Sequence, residues 1–579
     1  MNAIDKHQTT KYWSVSNRAW FGLVAKPILC GLLIGCSWTF SQQCSAQSED
    51  DSYVPAQIAE IDRLIEEAWA ADEIKPSRPA SDGEWCRRVY LDILGRIPKV
   101  DELDEFVNDK SANKKARLVE ELLHDDAYTE EFARNWTTIW TNLLIGRTGG
   151  IGNNSSINRT GMQKFLRDSF ARNKPYDRMV YQLVTATGSV EPGAEDFNGA
   201  VNFLIDKVNE EDAAQATAAT SKLFLGLQVQ CTQCHNHPFN EWKQRKYWEM
   251  NAFFRQTRAG NAGRRAARMN QTASLFDRDY IGPSGMAEEA EIYYELRNGE
   301  MQVAYPVFVD GSPIDPDGRV KNTNRREQLG KLIQDSAYLE KAMVNRMWGH
   351  FLGYGFTKPV DDLGPHNPPS NPELLDYVSK QFREYDFDVR ELITWIVLSR
   401  PYSLSSQMSK ANQRDDPTLG EAPRFSHFYL RQMRAEELYE SLVVATQAEK
   451  SAGSYEDQER RKSMWLQQFS TAFGTDEGDE TTSFNGTIPQ VLMMFNGDLI
   501  RNATATGKGS LINQIIESDS LRDREKINYL FKSGLSRAAT SDEMNLARDL
   551  LAARNGDANA ALQDLWWVIL NSNEFIFNH

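Results

Sequence analysis

Cys231, Cys234 and His235 stand in the run CTQCHNHPFNEW, which holds the only Cys-x-x-Cys-His of the chain. Two thiols at this spacing on a short helical turn can add to the two vinyl groups of one porphyrin edge, and the next imidazole then reaches the iron. The pattern therefore predicts a c-type haem (haem c, or heme c) bound through Cys231 and Cys234, with His235 as axial ligand. Met250 and His350 are the candidates for the opposite face of the iron, because His237 sits too close to His235 for that role. Two other chemistries use the same side chains. Cys231, Cys234, His235 and His237 can offer thiolate and imidazole ligands to a bare zinc or iron ion. Adjacent ligands at 234 and 235 strain a tetrahedral site, so a distant residue would complete it. In the third reading Cys231 and Cys234 close a disulfide turn without metal. His237 discriminates among them: pointing at a metal beside the two thiols it rules out haem, and supporting the turn from outside it leaves haem in place.

A second constellation lies downstream. In MVNRMWGHF, Asn345 and Trp348 are three apart and Arg346 and His350 four apart, so each pair shares a helix face. Asp361 and Asp362 follow the Gly353 and Gly355 turn, and His366 and Asn367 precede two prolines. Carboxylates and imidazoles gathered by such a loop can bind a metal or exchange protons. The plainer reading pairs Arg346 with the aspartates and makes His350 a satisfied core residue, since structural ion pairs imitate functional sites.

The compartment follows from the first 46 residues. Lys6, Lys11, Arg18 and Lys26 precede the apolar run PILCGLLIGCSWTF and the small-residue exit CSAQ, the layout of an export signal cleaved near Ala46. The apolar stretch is about 14 residues where a membrane-spanning helix needs roughly 20. No transmembrane span is expected after processing. Leu33-Ile34-Gly35-Cys36 resembles a lipobox and offers a competing cleavage that leaves Cys36 lipidated. The expected location is periplasmic or extracellular. Of six cysteines only Cys86, Cys231 and Cys234 lie beyond this leader, so the mature chain is not built on disulfides. The formal net charge of -16 repels phosphate backbones, which argues against nucleic acid as a partner.

The elements that must position these residues are mostly helices. At 579 residues the chain is long enough for two to four units at about 150 residues each. Ile58, Ile61, Leu64, Ile65 and Trp69 form one helical stripe. Ser81 with Glu84 and Thr540 with Glu543 have capping-box spacing. Phe132, Trp136, Ile139, Trp140 and Leu143 mark another helix, and Cys86 reads as a small buried residue. The Gly-rich GRTGGIGNNSS lacks the Lys-Ser or Lys-Thr of a phosphate loop and reads as a connection. EIYYELRNGEMQVAYPVFVDG alternates about Asn298-Gly299, a hairpin signal. LQDLWWVILNSNEFIF reads as one closing apolar helix. The expected fold is mainly α, with helical domains at 53–255 and 325–579 and a small β-hairpin insertion within 256–324.

ATAATSKLFLGLQVQCTQCHNHPFNEWKQRKYWEMNAFF, with WCRRVYLDILGRIPKVDELDEFV and NGAVNFL upstream, resembles the planctomycete cytochrome-like domain, domain of unknown function 1549. NRREQLGKLI, MVNRMWGHFLGYGFTKPVDDLGPHNPPSNPELLDYV, RQMRAEELYESL, TIPQVLMMFNGDLI and LNSNEFIFNH resemble its usual companion, domain of unknown function 1553. The resemblance covers essentially the whole mature chain. It implies an exported cell-envelope protein with one haem-like site and a redox or electron-transfer role. The sulfatase-like exported proteins often encoded beside the family imply a partner of that kind and a task on extracellular polymers. Many relatives carry a further cytochrome c domain, but this chain has no second Cys-x-x-Cys-His, which argues against a multi-haem wire. Two rival classes stay open: a metal-binding envelope protein, hydrolytic or otherwise catalytic, supported by His350, Asp361 and Asp362, and a scaffold in which the motif only fixes a turn.

Overall fold

The computed structural model describes residues 55–579 apart from 151–154, 209–212, 238–241, 261–272, 279–291, 315–322, 448–453, 474–499, 501–503 and 507–509. The leader, its cleavage sites and Cys36 lie outside the described residues, as does the polar run GTDEGDETTSFNGT. Helices dominate, and the sheets are small and antiparallel.

Local sequence chemistry explains the helix ends. Helix α1, Ala56–Ala71, buries Ile58, Ile61, Leu64, Ile65 and Trp69 as its stripe requires. Helix α2, Asp82–Leu94, starts at the Ser81–Glu84 capping box and stops at Gly95, whose φ of 76° is the left-handed cap. After α3 (Val100–Asn108) and α4 (Lys114–His124), α5 (Asp126–Ile145) buries Phe132, Trp136 and Trp140. It packs on α2, α4 and α6 (Arg159–Ala171), and α7 (Tyr176–Thr185) follows.

The insertion contains the expected hairpin. Strands β4 (Ile292–Glu295) and β5 (Met301–Ala304) pair across the turn at Asn298-Gly299, with Gly299 at φ 83°. A second sheet has no counterpart in the sequence reading. Strand β3 (Ser274–Asp277) lies between β1 (Gly188–Ser189) and β2 (Thr257–Gly260), so the insertion is stitched back onto the first helical region.

The closing segment is not one helix. The Ala558–Leu570 helix ends at Asn571, and the Ser572 hydroxyl caps a separate turn, Asn573–Ile576, by accepting the Phe575 N–H at 3.2 Å. That cap frees Phe577–Asn578 to pair as β7 with β6, Arg431–Gln432.

Packing divides the chain elsewhere than at the insertion. Residues from Ile58 to Tyr429 share one core, to which both expected helical domains contribute. A second core runs from Met433 to Ile576 and takes in Leu91 and Ile97 from the first region. Ser52–His579 is accordingly one compact unit. Among the described residues no helix is long and apolar enough to cross a membrane.

Candidate cofactor site

Helix α8, Ala214–Leu225, leads into the Cys-x-x-Cys-His run and ends on Gly226 at φ 64°. A Cβ there would lie 2.8 Å from Leu363 Cδ1, and Gly226 O accepts the Leu363 N–H at 2.7 Å. The chain next forms a single 3₁₀ turn, Gln230–Gln233. Thr232 is fully buried and anchors the turn, its N–H and hydroxyl both donating to Val229 O at 2.9 and 2.5 Å. With Thr232 turned inward, Cys231 and Cys234 are exposed, and both are free thiols.

His235 is half-buried, and its Nδ1 lies 2.7 Å from Asn236 O. A carbonyl oxygen can only accept, so Nδ1 carries a proton, and in the neutral ring Nε2 is then the nitrogen with the lone pair. Nothing among the described residues bonds Nε2.

His237 is engaged elsewhere. Its N–H donates to Trp242 O at 2.9 Å, and its ring lies 6.0 Å from that of His366, whose Nε2 is 3.0 Å from Asp362 Oδ2. Among the described residues no group of three or more His, Cys, Asp or Glu side chains is arranged to hold a metal ion. A groove of about 390 Å³ is lined by Leu227, Trp242, Lys246, Tyr338, Leu363 and Pro369 among others, and Cys231, Cys234 and His235 do not line it.

The remaining sequence candidates are dispersed. Met250 is buried in the main core on α9, Gln244–Asn251. His350 sits on the Ala337–Leu352 helix against Trp136, with Nε2 3.5 Å from Asp92 O and Nδ1 3.5 Å from the Arg434 guanidinium. Burial, and next the charges of Arg434 and Arg431, hold its pKa well below the usual histidine value, so it is neutral. Arg346 lies near Tyr176, Asp361 bonds Lys222 and Gln228, and Asp362 bonds His366. The expected pairing of Arg346 with the aspartates is thus replaced, for Asp361, by an ion pair to Lys222. Asn345 accounts for this: its carboxamide takes the Phe356 N–H at 2.6 Å and donates to Thr357 Oγ1 and Val360 O at 2.8 Å. The loop is folded onto the Asn345 face of its helix, and the aspartates emerge beside α8 instead.

Residues 60–259 match the family described as PSCyt2, protein of unknown function DUF1549, and residues 325–551 match PSD1, protein of unknown function DUF1553. The chain belongs to this two-domain family. The order is the one expected from the motifs. No curated protein and no solved structure matches the chain.

Several long motifs of the DUF1549 and DUF1553 regions meet at a second junction that sequence reasoning missed. Arg87, Arg88 and Asp92 of α2 are fully buried. Arg87 donates to Gly534 O and Phe575 O at 2.7 and 2.8 Å, while Arg88 donates to Leu404 O at 3.0 Å and lies 3.5 Å over the Phe428 ring. Asp92 accepts from Tyr402 Oη at 2.6 Å, from Asn578 Nδ2 at 2.9 Å and from Arg431. Arg431 and Arg434 in turn bond Glu437 at 2.9 and 2.7 Å. Burial pushes the Glu437 carboxyl up, but the Arg431 and Arg434 charges win and hold it at about 2. The available signal was the set Arg87, Arg88 and Asp92 inside the otherwise apolar WCRRVYLDIL. Cys86 beside them is buried, and burial pushes its thiol up, which suits a structural residue.

Proposed function

We propose that Cys231, Cys234 and His235 are the attachment site and proximal ligand of a single c-type haem in an exported redox protein. One observation carries the reading: the Asn236 carbonyl accepts from His235 Nδ1, which makes Nε2 the ring nitrogen left to bind a metal in the neutral ring, beside two exposed free thiols on the same turn. A histidine ligand commonly holds its other ring nitrogen on a carbonyl or carboxylate in this way. The residues present therefore fit the group. Cys231 and Cys234 would hold the macrocycle by thioethers, His235 would bind the iron, and the bound haem would supply one-electron chemistry. The engagement of His237 with His366 supports this reading over a bare ion shared with the two thiols. Its partner would be an exported electron donor or acceptor, reached through the exposed face of the motif. Neither Met250, in the core, nor His350, at the other junction, is offered as sixth ligand.

Protein exported from a host with haem-maturation machinery should stain for haem after denaturation and give a c-type visible spectrum. Full-length exported protein without covalent haem would overturn the proposal. Zinc or iron bound to that sample, and lost on Cys231→Ala, would favour the bare-ion alternative.

A further inference from the structure

Gln244, the first residue of α9, is 4% exposed and makes three contacts around the motif. Its side-chain Nε2 donates to Gln233 O at 3.1 Å and to Glu295 O at 3.0 Å, and its backbone N–H donates to Asn236 Oδ1 at 3.0 Å. A primary amide has two N–H groups, and each here has its own carbonyl. Gln233 immediately precedes Cys234, and Asn236 supplies the carbonyl that takes His235 Nδ1–H. Both ends of the Gln233–Asn236 stretch are therefore tied to one buried residue. Trp248, one turn further along α9, adds a second donor to Gln233 O at 3.2 Å. Its indole stacks on Tyr294 with 5.8 Å between centroids and 14° between planes. Glu295 and Tyr294 belong to β4, so the small insertion reaches the motif through Gln244 and Trp248 alike.

We infer that Gln244 is the positioning residue of His235 and that the β4–β5 hairpin is part of the same site. Gln244 holds Asn236 by its N–H and Gln233 by its amide, and the Asn236 carbonyl in turn sets the tautomer and direction of the imidazole. The hairpin backbone supplies Glu295 O, without which one amide proton would be buried and unpaired. A hydrogen-bonded support of this kind changes ligand affinity by roughly 10- to 100-fold when removed. The haem consequences rest on the function proposed above; the tautomer does not.

Gln244→Met keeps the length of the side chain and removes both amide donors, so it cuts the tie to Gln233 O while the backbone N–H keeps its bond to Asn236 Oδ1. Trp248→Phe keeps the stack and removes one donor, and serves if the first variant folds poorly. The ring ¹⁵N shifts of His235, assigned with His235→Gln, report the tautomer without any cofactor. Wild type should show Nδ1 protonated and Nε2 bare, and either variant should move both shifts toward a tautomer average. In haem-loaded protein the variants should retain covalent stain but shift the midpoint potential, with His235 displaced by about 10- to 100-fold less added imidazole. Unchanged ring shifts in both folded variants would overturn the inference. Moving shifts in a protein that never stains for haem would retain Gln244 as positioning residue and sink the haem reading alone.

Discussion

Lys222 Nζ lies 3.1 Å from one oxygen of Asp361, and Gln228 Nε2 donates to the other at 2.7 Å. Asp361 is 5% exposed, so a DUF1553 carboxylate is gripped by the DUF1549 segment that leads into Cys231. Asp361→Ala would leave the Gln228 amide and the Lys222 ammonium without this partner. A loss of about 1–3 kcal/mol is expected, moderated because Lys222 still reaches solvent. Urea unfolding midpoints would measure it, and Asp361→Asn should lose less because its amide oxygen still accepts from Gln228.

The proposed attachment predicts separable effects at three positions. Cys231→Ala or Cys234→Ala should leave one thioether and a weaker haem stain, whereas the double variant should carry none. His235→Ala should keep covalent haem but lose its axial nitrogen, seen as a high-spin spectrum. Equal stain in wild type and the double cysteine variant would contradict the assignment.

Asp92 is predicted to be a stability residue of the first rank. It is fully buried beneath Arg431, Tyr402 and Asn578, and its removal leaves the Tyr402 hydroxyl and the Asn578 amide without this acceptor, while Arg431 keeps Glu437. Asp92→Ala should cost about 1–3 kcal/mol for each donor left unpaired at Tyr402 and Asn578. Chemical denaturation would show this, with the thiols of Cys231 and Cys234 still free to react in whatever folded fraction remains.

His350 should impose a pH dependence on folding. Its folded pKa is depressed by burial and by Arg434 and Arg431, so the folded chain binds fewer protons than the unfolded one. Stability from the neutral ring is complete above the unfolded value of about 6.5 and is lost as pH falls below it. The expected slope is about 1.4 kcal/mol per pH unit once the unfolded ring is protonated. Urea midpoints between about pH 7 and pH 5 should fall more steeply in wild type than in His350→Gln. Parallel curves would mean that His350 titrates alike in both states.

The features read correctly from sequence are those decided within a few residues. The stripe from Ile58 to Trp69, the capping boxes at Ser81 and Thr540 and the Asn298-Gly299 hairpin each depend on local periodicity, a short polar side chain or a glycine at positive φ. The closing helix was misread because Ser572 looks like any polar position until its hydroxyl is seen capping Phe575. The strand order β1–β3–β2 was illegible because β1 has two residues and its partner lies far along the chain.

Sequence alone determined the family and the helical class, and it set Cys231, Cys234 and His235 in one short run, because motif spelling and short-range spacing are properties of the chain itself. Only the tertiary structure decided which other residues belong beside them. It separated Arg346 and His350 from Asp361 and Asp362 through the Asn345 loop, turned His237 toward His366 and brought Gln244 beneath the motif. The physical reason is that a hydrogen bond between distant residues depends on how whole helices pack, and that packing is written in burial spread over hundreds of positions.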